Sequence, residues 1–277
     1  MAKKTREEQE KKNAKYWKDR AIAMEEDKEK AAEALSERTR KAYIRSFKRL
    51  NKDIDALYAE ILDKGLENMM ATDLYNLNRY VALRKKIAEE VEGLAIEDNE
   101  RLAKLLDDIA VGTYESNCKE MGIDFTILSE QQAKSIASEN WTGVRFSDRI
   151  WGNANDFNSR VMTDIEELIL GGKGPDKLKK KLIEDYSVKF HEADRLIRTE
   201  ASHAFNSAAL QSYVDAGLEE IDFLAESDCC DLCKPYRKKR FPINDVPVIP
   251  VHPNCRCTYL PVVEGFNITE GYTPYTS

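Results

Sequence analysis

The sequence predicts a mainly helical chain that closes on a small C-terminal β-rich module, an α+β protein with its long helices in the N-terminal half. Three observations carry this. Glycine (12) and proline (8) are sparse among 277 residues, whereas Lys, Glu, Leu and Ala, three of them charged or aliphatic helix formers beside alanine itself, abound. Apolar residues recur at three- and four-residue steps over most of the chain, the spacing of one helical face. Near the C-terminal end the pattern changes to alternation, and four prolines fall between 242 and 253.

Residues 6–34 are charged residues and alanine with Tyr16, Trp17, Ile22 and Met24 as apolar anchors, a helix that needs a partner to lean on. Tyr43, Phe47, Leu50, Ile54, Leu57, Tyr58 and Ile61 mark an amphipathic helix over 36–64, ended or interrupted at Gly65. Thr72 or Asp73 suits the cap of the next helix, which carries Leu74, Leu77, Val81, Ile87 and Val91 and stops at Gly93. A third, over 99–118, places Leu102, Leu105, Leu106, Ile109 and Tyr114 on one side, with Gly122 closing it and Cys118 as a small buried hydrophobe. Ser129 and Gln132 fit the capping box of a short helix ending near Glu139.

Ile150, Ala154, Phe157, Val161, Ile165 and Leu168 form the next stripe, which stops at Gly171-Gly172-Lys173-Gly174. That run lacks the Lys-Ser/Thr ending and the preceding strand of a phosphate loop, so it reads as a helix break. Pro175 restarts the chain, because proline in a first turn forfeits no intrahelical bond, and a helix to Tyr186 follows. The last helix, 192–216, buries Leu196, Ile197, Ala201, Ala204, Phe205, Ala208 and Tyr213, with Gly217 at its C-cap. Ile221, Phe223 and Ala225 alternate as in a strand, and 257–263 supplies a returning one. The expected organisation is a long-helix region 1–125, a second domain 126–263 whose metal module occupies 218–263, and a polar tail 264–277.

No stretch approaches the roughly 20 apolar residues that a bilayer requires, and the opening MAKKTREEQEKKNAKYW lacks the apolar core of a secretory signal. The expectation is a chain made in a reducing cytoplasm, with no membrane partner. Net charge is −7, yet residues 1–50 hold 16 Lys and Arg against 10 Asp and Glu, a local +6 on an acidic remainder. A basic end suits an anionic partner such as DNA, and a solvated helical face with interspersed acids reads the same way. Lys11, Lys12, Lys15 and Arg20 are the candidate contacts there. Arg237, Lys238, Lys239 and Arg240 are a second set, for which the plain alternative is a hairpin edge guarded by charge.

Five of six cysteines fall within 229–257, in Asp228-Cys229-Cys230-Asp231-Leu232-Cys233 and His252-Pro253-Asn254-Cys255-Arg256-Cys257. Cys230-x-x-Cys233 lets two thiolates meet one ion from a tight turn, and His252-x-x-Cys255 adds a nitrogen and a third sulfur from another. Cys230, Cys233, His252 and Cys255 make a closed tetrahedral set, with Cys257 as the alternative fourth ligand. Zinc suits such mixed donors, and four protein ligands make the site structural. Disulfides compete for the same residues but need an oxidising compartment. A Cys230–His252 hydrolase would need a free thiolate, which coordination removes, and His191 and His203 lie in no nucleophile motif, so no catalytic residue is expected. Arg198 and Glu200, two apart on the last helix, do not face each other; one or the other is expected to tie the helix to the loops of the metal module, with surface solvation as the alternative.

These residues, in the order Arg198-Thr199-Glu200, Asp228-x-Cys230-x-x-Cys233 and His252-Pro253-x-Cys255-Arg256-Cys257, resemble the Mu F-like head morphogenesis, or minor capsid, proteins of tailed bacteriophages. Asn13-Ala14-Lys15-Tyr16-Trp17-Lys18-Asp19-Arg20 likewise looks like the Asn-x-x-Tyr-Trp-x-x-Arg opening of such proteins from phages of Gram-positive bacteria. The match covers about 165–263 and that opening. It implies a virion protein of the capsid interior, assembled in the host cytoplasm and associated with the portal protein, with scaffolding or major capsid protein and double-stranded DNA as further candidate partners. It implies no catalysis; the alternative is a zinc-dependent nuclease or toxin-type enzyme acting on DNA.

Overall fold

The computed structural model describes residues 2–65, 69–123, 131–132, 134–136, 139–225 and 229–263, and of 2–7 and 9 the backbone alone. Helix α1 (Ala2–Asp63) is followed by the short α2 (Ala71–Tyr75), α3 (Asn78–Glu120), α4 (Phe146–Leu170) and α5 (Pro175–Asp215). Strands β1 (Glu220–Leu224), β2 (Arg240–Pro242) and β3 (Thr258–Pro261) complete the described chain, with a 3-10 turn at Lys234–Tyr236. The fold is therefore mainly helical with a small C-terminal sheet, as its class predicts. The Ser129–Gln132 capping box lies outside the described residues.

Three expected helix ends are absent. The helices expected at 6–34 and 36–64 are one helix, α1; Gly93 lies inside α3; and α5 runs unbroken through 187–191. A mid-helix glycine costs only about 1 kcal/mol, and Val91, Leu94 and Ala95 around it are all buried, so packing outweighs propensity. Of the stripe expected here, Leu77, Ile87 and Val91 are buried, whereas Val81 is exposed and Tyr80 and Leu83 are buried beside it. In α4, Ile169 is buried in place of Leu168.

The chain divides into two compact units, each assembled from separated segments: 1–34, 103–139 and 195–277 in the first, 35–102 and 140–194 in the second. In the second unit, the Tyr186 ring of α5 meets Phe157 of α4 at 4.9 Å and Phe47 of α1 at 5.9 Å, both edge-on, the arrangement that ring quadrupoles favour. Its hydroxyl shares a bond with Ser46 (2.9 Å).

In the first unit, Asn13, Tyr16, Trp17 and Arg20 are all buried. They stand at steps i, i+3, i+4 and i+7, one helical face. Arg20 donates to the Ser116 carbonyl of α3 (2.9 Å) and Tyr16 to Glu120. This corrects the reading of Arg20 as a DNA or partner contact: it fastens α1 to α3. Lys11, Lys12 and Lys15 are exposed.

Helix α5 ends in a Schellman cap. Gly217 takes φ +73°, its amide bonding Val214 O (2.9 Å) and that of Leu218 bonding Tyr213 O (3.1 Å), a left-handed position that glycine occupies without strain. The chain then enters a three-stranded antiparallel sheet of order β2-β1-β3. Ile221, Phe223 and Tyr259 from this sheet bury their side chains in one core with Tyr213, Ile249, Cys233, Cys255 and Cys257.

Candidate metal centre

The donor residues lie in two connections of the sheet: 229–239 leads into β2, and 243–257 runs from β2 to β3. In the first connection, the amides of Cys233 and Lys234 both bond Cys230 O at 3.1 Å, a tight turn that aims Cys230 and Cys233 the same way. In the second, Cys255 N bonds His252 O (3.2 Å), with Pro253 at the second turn position and Asn254 at φ +60° at the third. That is the residue pattern of a type II turn, where proline fixes the first dihedral and asparagine tolerates the left-handed one.

These turns bring together two overlapping donor groups, Cys230/Cys233/His252 and Cys233/Cys255/Cys257, the ligand atoms of each lying within 4.8 Å of one another. Cys233 belongs to both, and its Sγ is 3.8 Å from that of Cys255. All the expected ligands, the alternative Cys257 included, therefore gather around Cys233. His252 Nδ1 lies 2.8 Å from Pro253 O; donation there fixes the proton on Nδ1 and leaves the Nε2 lone pair for a cation. Cys233, Cys255 and Cys257 are buried. Burial pushes the Cys233 thiol up, the Cys257 thiol donating to Cys255 holds Cys255 down, and Cys257 itself is pushed up by that bond. A cation at the cluster would favour the ionised form of each thiol.

One face of α5 seats the second turn. Thr199 Oγ1 accepts from Asn254 N (3.2 Å), Ser202 Oγ donates to Cys255 O (2.9 Å) and Asn206 Nδ2 donates to Cys257 O (3.2 Å). Ser202 and Asn206 are fully buried. Arg198 donates to Glu29 of α1 (3.0 Å), and Glu200 is buried. The bonds from α5 to the ligand turn given above are made by Thr199, Ser202 and Asn206, beside the expected pair Arg198 and Glu200. The spacing of Thr199, Ser202 and Asn206 gave no distinct signal, since Thr199 and Asn206 also bond carbonyls of their own helix, Arg195 O (2.6 Å) and Ser202 O (2.9 Å), as ordinary helical polar residues do. On the far side of the module, Tyr259 Oη donates to Pro247 O (2.6 Å) and accepts from Ile249 N (3.1 Å), anchoring the segment that leads to His252.

Arg237, Lys238, Lys239 and Arg240 are exposed around the turn into β2. Arg240 is engaged by Asp222 (2.8 Å) and Glu220 (3.6 Å) across the sheet, so its charge is largely matched. Among the described residues, no helix is long and apolar enough to cross a membrane. Comparison with protein-family models, with curated proteins and with solved structures finds no match.

Proposed function

We propose that this chain is a structural, non-enzymatic component of a tailed-phage head, a minor capsid protein of the head-morphogenesis type that joins the portal protein inside the procapsid and assists head assembly or genome packaging and ejection. The observation that carries the reading is the convergence of the motifs behind the resemblance: the helix bearing Arg198-Thr199-Glu200 seats the turn of His252-Pro253-x-Cys255-Arg256-Cys257, and that turn meets Cys230-x-x-Cys233. The four residues of the Asn13–Arg20 pattern add support, being a buried docking face on α1.

The donor set fits zinc. Two thiolates held about 2.3 Å from a tetrahedral zinc lie about 3.8 Å apart, the separation of Cys233 and Cys255 Sγ (3.8 Å). At that separation the two sulfurs are not bonded, since a disulfide holds them about 2.05 Å apart. Cys230, Cys233 and His252 hold the ion, with Cys255 or Cys257 as fourth ligand. Four protein donors leave no vertex for water or substrate, so the ion supplies a fixed node and no Lewis-acid chemistry. Lys11, Lys12 and Lys15, with Arg237, Lys238 and Lys239, provide exposed positive charge for the portal, for scaffolding or major capsid protein, or for double-stranded DNA.

The test is co-expression with the portal protein of the same genome. Co-purification, incorporation into procapsids and one zinc per chain are expected. Failure to join portal or procapsid overturns the assignment. So does DNA cleavage by the zinc-loaded chain that His252→Ala abolishes with the circular dichroism unchanged.

A further inference from the structure

Arg256 stands between two candidate ligands, Cys255 and Cys257, so its place is set by whatever those thiols hold. Its Nε lies 3.5 Å from Oε1 of Glu25 on α1. Glu25 also receives Lys28 (3.3 Å), Lys28 reaches on to Glu29 (2.8 Å), and Glu29 receives Arg198 of α5 (3.0 Å). Five charges of alternating sign thus run from the ligand turn through α1 to α5. From α5, Thr199 returns to the same turn at Asn254. Lys28 also lies over the Phe205 ring of α5 (5.8 Å).

The row is asymmetric in exposure. The Arg256 side chain is 53% exposed and that of Glu25 is 6% exposed. If the turn loosens, arginine returns to water while the carboxylate stays buried with one cation fewer. Desolvation already raises the pKa of Glu25, against the pull of Lys28 and Arg256. Breaking a buried charge pair on one side is expensive because the remaining charge is left uncompensated. The cost of freeing the turn therefore falls on α1.

We propose that the ligand turn is a latch for α1: occupancy of the cysteine cluster by its metal ion and seating of α1 residues 13–29 are coupled through the Arg256–Glu25 pair. The inference rests on the metal reading above and adds to it a positioning role for Arg256 and a means of holding the basic N-terminal helix in its assembled place. Coupling is reciprocal, so what α1 gains from the ion the ion gains from α1.

The experiment uses the full chain with and without added zinc, reading amide exchange over 13–29 and zinc affinity by chelator competition. Zinc is expected to slow exchange over 13–29 about tenfold, and Glu25→Gln and Arg256→Gln each to weaken zinc binding about tenfold while shrinking that protection. Arg256→Lys restores part of both. Tyr259→Phe, which weakens the module without touching the charged row, keeps the zinc-dependent protection of 13–29. Zinc binding at wild-type affinity by Glu25→Gln, or full zinc-dependent protection in Arg256→Gln, overturns the latch and leaves the metal site standing. A wild-type chain that binds no zinc overturns both.

Discussion

Replacing Ser202 with alanine tests whether α5 seats the ligand turn. The hydroxyl is fully buried and donates to the carbonyl of Cys255 at 2.9 Å; alanine keeps the helix and the volume nearly unchanged but withdraws the donor. A buried acceptor left without its partner costs about 1–3 kcal/mol, and a neutral pair belongs in the lower half, about 1.5 kcal/mol. The lost bond is to a candidate ligand residue, so the cost falls chiefly on the metal-loaded state. At 1.4 kcal/mol per factor of ten, zinc affinity is expected to drop about tenfold. Chelator competition measures the affinity, and thermal unfolding of the loaded chain measures the accompanying loss. Thr163→Ala serves as the control, because that hydroxyl makes only an exposed bond back along its own helix, to Ser159 O (3.0 Å). A Ser202→Ala chain whose zinc affinity stays within about twofold of wild type refutes the seating argument.

Tyr259→Phe removes both bonds that anchor 247–249 and is expected to destabilise the module by about 1–3 kcal/mol, read by thermal unfolding. Burial pushes the Tyr186 phenol up to about 12, above the value near 10 of an unfolded chain. Below about pH 10 both states are protonated and stability is unaffected; above it the unfolded state loses the proton first, so stability falls, by about 1.4 kcal/mol at about pH 11. Denaturant titrations should show this part of the alkaline loss vanish in Tyr186→Phe. Arg20→Ala breaks buried bonds to Ser116 and is expected to cost about 2–4 kcal/mol in stability without altering the salt dependence of any DNA binding. By contrast, a Lys11/Lys12/Lys15→Gln variant should keep its melting temperature and lower the slope of log affinity against log salt by about 3.

Where a helix buries a stripe, the sequence was a reliable guide: all seven residues expected on the buried side of 192–216 are buried. Helix ends were less legible. Glycine at 93 and the Ser187–His191 stretch weaken a helix locally, and only the packing of residues around them decides that it continues. The donor residues were legible because turn spacing and ligand chemistry are local properties. Their supports were not. Thr199, Ser202 and Asn206 look like ordinary helical polar residues until a loop more than 45 residues later in the sequence, 254–257, is brought against them. Arg20 misled for the complementary reason, since charge near a basic terminus says nothing of which helical face it occupies.

The overlap of the two donor groups makes the cysteines unequal in their tolerance of change. Loss of Cys230 spares the Cys233/Cys255/Cys257 trio, and loss of Cys257 spares Cys230/Cys233/His252. Loss of Cys233 dismantles both. A chain drifting by single substitutions can therefore trade one outer thiol for another and keep a workable nest of donors, but position 233 admits no such exchange.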